Sequence, residues 1–334
     1  MNDRALYPYV LEPKETTAIW GGESWKCWDA NRVRNGALAG KTLVELRSIL
    51  GSRLLGKIDP QRIFPVLTKI ITANDWLSVQ VHPDDAYAQR VEHQPNGKTE
   101  CWYIFSAQPD SELVFGWARD MSRAEYERRV ADGTLGDVLR RIPVKAGDAF
   151  YIPAGTLHAI GGGIVLFETQ QASDLTYRIF DWNRVGPDGK PRPLHVQKAA
   201  DVLNYHAEIG GAVETIDYRF ESLDRTVLIA DRNFIVERIV ATEEPCSIST
   251  HDRPLIVMSL ERELLLRCDD EEVALGKHET AVVPAGAQRC SLCTNHGSSP
   301  FMFVTPPPDE RFIATQLLAA GVEQSRIDRF TEQF

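Results

Sequence analysis

A chain of 334 residues, 43% hydrophobic and 25% charged, is long enough to bury two cores of ordinary size and lacks the composition of a disordered, collagenous or coiled-coil protein. Its 47 acidic residues outweigh 37 basic ones, a formal charge of −10 with no lysine or arginine block, which argues against a nucleic-acid partner. An anionic substrate must then be met by a few placed cations.

In chain order, Met1 to Thr17 is interrupted by Pro8, Glu12, Pro13, Lys14 and Glu15 and has no apolar stretch of the signal-peptide kind. No later run is long enough to span a bilayer, so the expected setting is the cytoplasm, away from membranes. Short apolar runs bounded by Gly, Pro, Asn or Asp follow at 76–82, 100–105, 113–117, 149–153, 164–169, 175–180, 234–240, 255–260, 263–268, 280–284 and 301–305. Rich in Val, Ile and aromatic residues, they predict strands and a mainly β protein.

Helices are predicted in patches. Asp84 caps one that carries Ala86, Tyr87 and Val91; Ser122 and Glu125 form a capping box for another through Val130, stopped by Gly133. Thr134 predicts a third, through Arg141 and ended by Pro143, and 309–334 has helical spacing after Pro306, Pro307 and Pro308.

An internal repeat organises the rest. Ala149-Phe-Tyr-Ile-Pro-Ala-Gly-Thr-Leu-His158 lies over Thr280-Ala-Val-Val-Pro-Ala-Gly-Ala-Gln-Arg289, each a strand entering a Pro-Ala-Gly turn. Two copies of one β-unit predict two similar barrels in tandem. The expected division is 1–205, with a short helical insertion at about 119–141, and 206–334. Six scattered cysteines (Cys27, Cys101, Cys246, Cys268, Cys290 and Cys293) read as reduced thiols, and the lone Cys290-x-x-Cys293 as two small residues in a strand.

Gln80 and His82 alternate along one run and so face the same way. Glu100 opens the next run, and His158 follows the Pro153-Ala-Gly155 turn. Each alone reads as well as a strand-end hydrogen bonder, a surface carboxylate or a turn residue. Together, two imidazoles, a carboxylate and an amide oxygen form a borderline nitrogen and oxygen donor set, suited to Zn²⁺ and less exclusively to Mn²⁺, Fe²⁺ or Co²⁺.

The segments Asn74-Asp-Trp-Leu-Ser-Val-Gln-Val-His-Pro-Asp84, Gly97-Lys-Thr-Glu-Cys-Trp-Tyr103, Gly147 to His158 and Thr176-Tyr-Arg-Ile-Phe-Asp-Trp-Asn183 resemble type I mannose-6-phosphate isomerase, in its short bacterial form. Trp20-Gly-Gly22 and the stretch from Asn35-Gly36 to Leu46 fit as well, so the resemblance covers about residues 8 to 200. It implies a tandem cupin (jelly-roll-like) fold, one zinc ion per chain held by Gln80, His82, Glu100 and His158, and interconversion of mannose 6-phosphate and fructose 6-phosphate through an enediol. It also implies active-site roles for Lys98 and Arg178. In the second repeat Arg289 replaces the histidine, which implies a metal-free, structural barrel.

The base is left open between Lys98, Asp181 and Glu168, and Arg184, Lys190 and Arg192 are candidate phosphate contacts. Two other readings keep the fold and change the chemistry: an iron-dependent cupin dioxygenase, and a non-catalytic sugar-phosphate-binding cupin. The expected assembly is a monomer or weak homodimer.

Overall fold

Runs of β-branched and aromatic residues satisfy their backbone groups by pairing. In the computed structural model, which describes residues 6–59, 63–186, 189–207, 210–307 and 311–334, every expected run contains a strand, and these runs pair antiparallel. The chain divides into two compact units, each drawn from separate stretches of sequence.

One unit comprises residues 15–24 and 69–213. Its first sheet runs in the order Lys14–Ala18, Gly21–Cys27, Val66–Ala73, Ile164–Gln171, Glu100–Ala107, Ala149–Ile152. Its second runs Tyr177–Phe180, Val79–Val81, His158–Ile160, Glu112–Trp117, Leu139–Pro143. Trp102, Ile104, Phe150 and Leu166 from the first sheet share a core with Leu113, Phe115 and Ile160 from the second. This is the two-sheet, jelly-roll-like packing expected, although the described hydrogen bonding does not close it into a barrel.

The other unit comprises 1–14, 25–68 and 214–334. A seven-stranded sheet and a four-stranded one enclose a core with Ile239, Val257, Ala281 and Phe301 from the first and Leu266, Cys290 and Leu292 from the second. The N-terminal strand Tyr9–Val10 forms the sheet's outer edge beside Thr280–Val283, so the start of the chain completes a sheet otherwise built from its end.

Local signals hold where a side chain enforces them. The Asp84 carboxylate accepts from Tyr87 N at 2.7 Å, and Ser122 Oγ accepts from Glu125 N at 3.1 Å to open the helix Arg123–Asp132, which Gly133 stops at φ 71°. Thr134 makes no such bond, and the predicted third helix is corrected to a 3₁₀ turn over Leu135–Val138 followed by an edge strand, Leu139–Pro143. The cause is tertiary: Ile142 pairs with Leu113 and Leu139 with Trp117, and an edge strand tolerates Pro143. The C-terminal region is two helices, Phe312–Ala319 and Gln324–Thr331, interrupted near Gly321 at φ 82°; its predicted start at Asp309 lies outside the described residues.

The thiol reading is also corrected, because Cys268 and Cys290 face each other in register on neighbouring strands and form a disulfide. Cys290 and Cys293 do lie in one strand, Cys290–Thr294. No helix among the described residues is long and apolar enough to cross a membrane.

Candidate metal centre and its cavity

Antiparallel register assembles the centre. His158 is the partner of Gln80, and Glu100 opens the next strand in sequence after that of Gln80, Glu100–Ala107. The Pro153-Ala-Gly155 turn is tied to the same point, since Gly155 N donates to His82 O at 2.9 Å. Gly155 has φ 89° and stands where a Cβ would lie 3.0 Å from Val202 O, so both backbone conformation and space call for glycine. One ligand atom from each of His82, Glu100 and His158 falls within 4.8 Å of the others. All three residues are essentially without solvent exposure.

Backbone carbonyls set both imidazoles. His82 Nδ1 lies 2.8 Å from Leu175 O and His158 Nδ1 lies 2.9 Å from Thr156 O. A carbonyl only accepts, so each Nδ1 carries the proton and each Nε2 presents a lone pair. Those lone pairs converge on Glu100, at 3.4 Å from His82 and 3.3 Å from His158. Lys98 Nζ donates to His82 Nε2 at 3.1 Å and to Glu100 Oε2, and the Gln80 amide lies 3.2 Å from His158 Nε2. Turning that amide over presents its oxygen in place of its nitrogen.

The electrostatics suit a cation. Burial pushes His82 down to about 3 and lowers His158, so both imidazoles are neutral. Burial alone would raise the Glu100 carboxyl, but Lys98 beside it outweighs burial and holds it well below the usual carboxylate range. Glu100 Oε1 is buried and accepts no hydrogen bond among the described residues. Two fixed nitrogen lone pairs, a carboxylate with an unused oxygen and a reversible amide form a donor set that fits a divalent ion such as zinc.

Beside the centre lies a cavity of 330 Å³. Gln80, Lys98, Lys69, Glu168, Asp174, Arg178 and Arg192 line its polar wall, and Trp20, Ile71, Leu77 and Ile160 its apolar one. Glu168, a candidate base from sequence, is committed elsewhere: it pairs with Lys69 at 3.0 Å and accepts from Trp102 Nε1 at 2.9 Å. Arg178 is half-buried, with Nη1 on Pro193 O at 2.9 Å and a buried Nε that donates to nothing among the described residues.

Asp181 is not brought to this wall. Its carboxylate accepts from Arg184 Nη2 at 2.7 Å, from Arg192 Nε at 2.7 Å and from Arg192 Nη2. Trp182 and Asn183, both at φ 56°, turn the chain sharply enough to place Arg184 on that same carboxylate. Burial pushes the Asp181 carboxyl up, and Arg192 and Arg184 more than offset it, so it is held below its ordinary value. A carboxylate bound by two guanidiniums is a poor base and a good anchor. Sequence reasoning did not single out Lys69 or Asp174. Lys69 is hidden in an apolar strand, and Asp174 lies on the turn before Arg178.

A family model for the catalytic domain of phosphomannose isomerase type I matches residues 5–115. The mannose-6-phosphate isomerase of Streptococcus mutans is 42% identical over 229 residues, covering 67% of this chain and 69% of that protein. A putative mannose-6-phosphate isomerase of Bacillus subtilis, YvyI, is 32% identical over 316 residues, 86% of this chain and 98% of that one. Among solved structures, the mannose 6-phosphate isomerase from Bacillus subtilis superposes with a TM-score of 0.80 at 29% identity, covering 90% of this chain and 99% of that one. A zinc-bound mannose 6-phosphate isomerase shares the fold with a TM-score of 0.70 at 14% identity, covering 90% of this chain and all of that one, 100%.

Proposed function

Because the chain belongs to the type I mannose-6-phosphate isomerases, we propose that it interconverts mannose 6-phosphate and fructose 6-phosphate in the cavity beside His82, Glu100 and His158. In this reading those three side chains and Gln80 hold one zinc ion. The carrying observation is the pair of buried imidazoles, each turned by a backbone carbonyl so that its Nε2 faces Glu100, at the wall of a cavity that also carries Lys98 and Arg178.

Aldose–ketose isomerisation removes the proton on C2 of the aldose, passes through an enediol and returns a proton to C1. A bound zinc ion supplies Lewis acidity toward the sugar oxygens on which negative charge develops. The chain's own residues supply the rest. Lys98, at the junction of centre and cavity, donates N–H to those same oxygens. Asp174 is the solvent-exposed carboxylate of the cavity wall, and in this reading it carries the proton between C2 and C1. Arg178 and Arg192 grip the phosphate, with Arg192 oriented by Asp181, which acts as a positioning residue. Trp20, Ile71, Leu77 and Ile160 cover the apolar face of the sugar and exclude water from the enediol.

Zinc-loaded protein should form fructose 6-phosphate from mannose 6-phosphate in a coupled assay, and His158→Ala should lose that turnover together with bound metal. Equal turnover in the variant would place the chemistry elsewhere. Iron in place of zinc, with oxygen uptake, would favour the dioxygenase reading, which leaves Lys98 and the arginines without a task.

A further inference from the structure

The strand Ile164–Gln171 ends in two consecutive glutamines whose side chains leave on opposite faces, and both reach loops that carry the centre. Gln170 is the register partner of Glu100 and is fully buried. Its Nε2 donates to Gln171 O at 3.3 Å and to Ser173 O. The turn it fastens is closed by Ser173 N on Gln171 O at 2.7 Å and Leu175 N on Ser173 Oγ at 3.3 Å. Leu175 O is the acceptor that fixes the tautomer and rotation of His82.

Gln171 works on the opposite loop. Its Oε1 accepts from Thr99 N at 2.8 Å, and its Nε2 donates at 2.9 Å to Asp85 Oδ1, which also accepts from Gly97 N at 2.8 Å. Gln171 N adds a 3.0 Å bond to Thr99 O. The segment from Gly97 to Thr99 is thereby held at both ends of Lys98, one residue before Glu100.

We propose that Gln170 and Gln171 are positioning residues for the metal centre, Gln170 setting His82 through Ser173 and Leu175, and Gln171 setting Lys98 and Glu100 through Thr99 and Asp85. This rests on the metal-site reading above. The chemistry of the two amides supports a positioning role over plain packing. Gln170 Oε1 is buried and finds no donor among the described residues, a cost that an apolar side chain of equal length would avoid. What the amide adds is its donor end, and that end goes wholly to the turn presenting Leu175 O. A ligand set tolerates only a few tenths of an ångström and a few degrees of misplacement, so an amide that fixes a carbonyl two steps from the ion acts on affinity.

The test uses the full chain, stripped of metal and titrated with Zn²⁺ against a chromogenic chelator. Gln170→Met and Gln171→Ala should each lower zinc affinity about 10-fold, while the melting temperature of the metal-free protein stays close to wild type for Gln170→Met. Ring ¹⁵N spectra of the metal-free protein should show His82 as the Nδ1–H tautomer in wild type and as a mixture in Gln170→Met. Ser173→Ala, which loosens the same turn without touching the strand, should move both readouts in the same direction and stands in if Gln170→Met fails to fold. Unchanged zinc affinity and an unchanged His82 tautomer in these variants would overturn the proposal. Failure of wild type to bind zinc at all would instead overturn the metal-site reading on which it rests.

Discussion

Asp181→Asn separates two roles for one carboxylate. As a base, Asp181 would be needed for proton transfer, and its loss would lower kcat by about 10²- to 10⁴-fold with KM little changed. The structure gives it three guanidinium hydrogen bonds and no place on the cavity wall. Asparagine keeps one acceptor and turns an amide N–H toward a guanidinium. Hydrogen bonds to charged groups contribute about 1.5–3 kcal/mol each, and the Arg184 and Arg192 side chains retain 16% and 25% of their exposure, so the low end applies. Releasing Arg192 should remove about one such contact from the phosphate, a KM rise of about 10-fold or more at 1.4 kcal/mol per decade. The expected pattern in the coupled assay is raised KM with kcat within a few-fold of wild type. A 100-fold fall in kcat at unchanged KM would refute the positioning role.

Acid stability supplies a second sign for the same residue. Its folded-state pKa is lowered, so its contribution is fully present above the unfolded value of about 3.9 and is lost as pH falls through the folded value. The stability gap between wild type and Asp181→Asn should therefore be constant near neutral pH and close below about pH 4, as followed by urea melts. Reducing the Cys268–Cys290 bridge, whose partners are 22 residues apart, should cost about 3 kcal/mol in the chain-entropy model. Cys268→Ser should then melt several degrees lower, and thiol counting on unfolded wild type should find four free cysteines, matching Cys27, Cys101, Cys246 and Cys293. Gly155→Ala forces a Cβ against Val202 O at φ 89°, and about 1–3 kcal/mol of strain should appear as a lower melting temperature together with weaker zinc binding.

The strands were legible because alternation and β-branched composition act locally, and so were the caps at Asp84 and Ser122, where one side chain decides the matter. The stretch 139–143 was not, because its partner Glu112–Trp117 lies about thirty residues away and nothing local opposes a helix. The same limit governs the site. Gln80 and His82 share a face by alternation, but the pairing of Gln80 with His158 is a fact of register. Asp181 and Asp174 look alike in sequence as carboxylates near Arg178. Only folding shows that Arg184 and Arg192 claim the first, while the second stands exposed at the cavity. Lys69 escaped notice because a buried cation in an apolar strand makes sense only beside Glu168 and Glu23.

Register also shows what the repeat lost. Glu100 pairs with Ile152, and Leu255 pairs with Val283, the residue that the repeat places at Ile152, so Leu255 stands where the first unit has its carboxylate. Extending the pairing of Ile248 with Cys290 by one residue sets Ser249 opposite Arg289, as Gln80 stands opposite His158. His251 then falls at the position of His82, with its ring 4.8 Å from Phe312. Arg289 is exposed and bonds Asp269 at 3.0 Å. Four donors have become one imidazole against an aromatic ring. A cavity of 410 Å³ remains there, lined by Ser249, His251 and Arg289, so what the second unit lacks is the converging donors and not the space. One β-motif thus presents a set of converging donors or a lone imidazole, depending in part on whether a carboxylate or a leucine opens the strand that follows them.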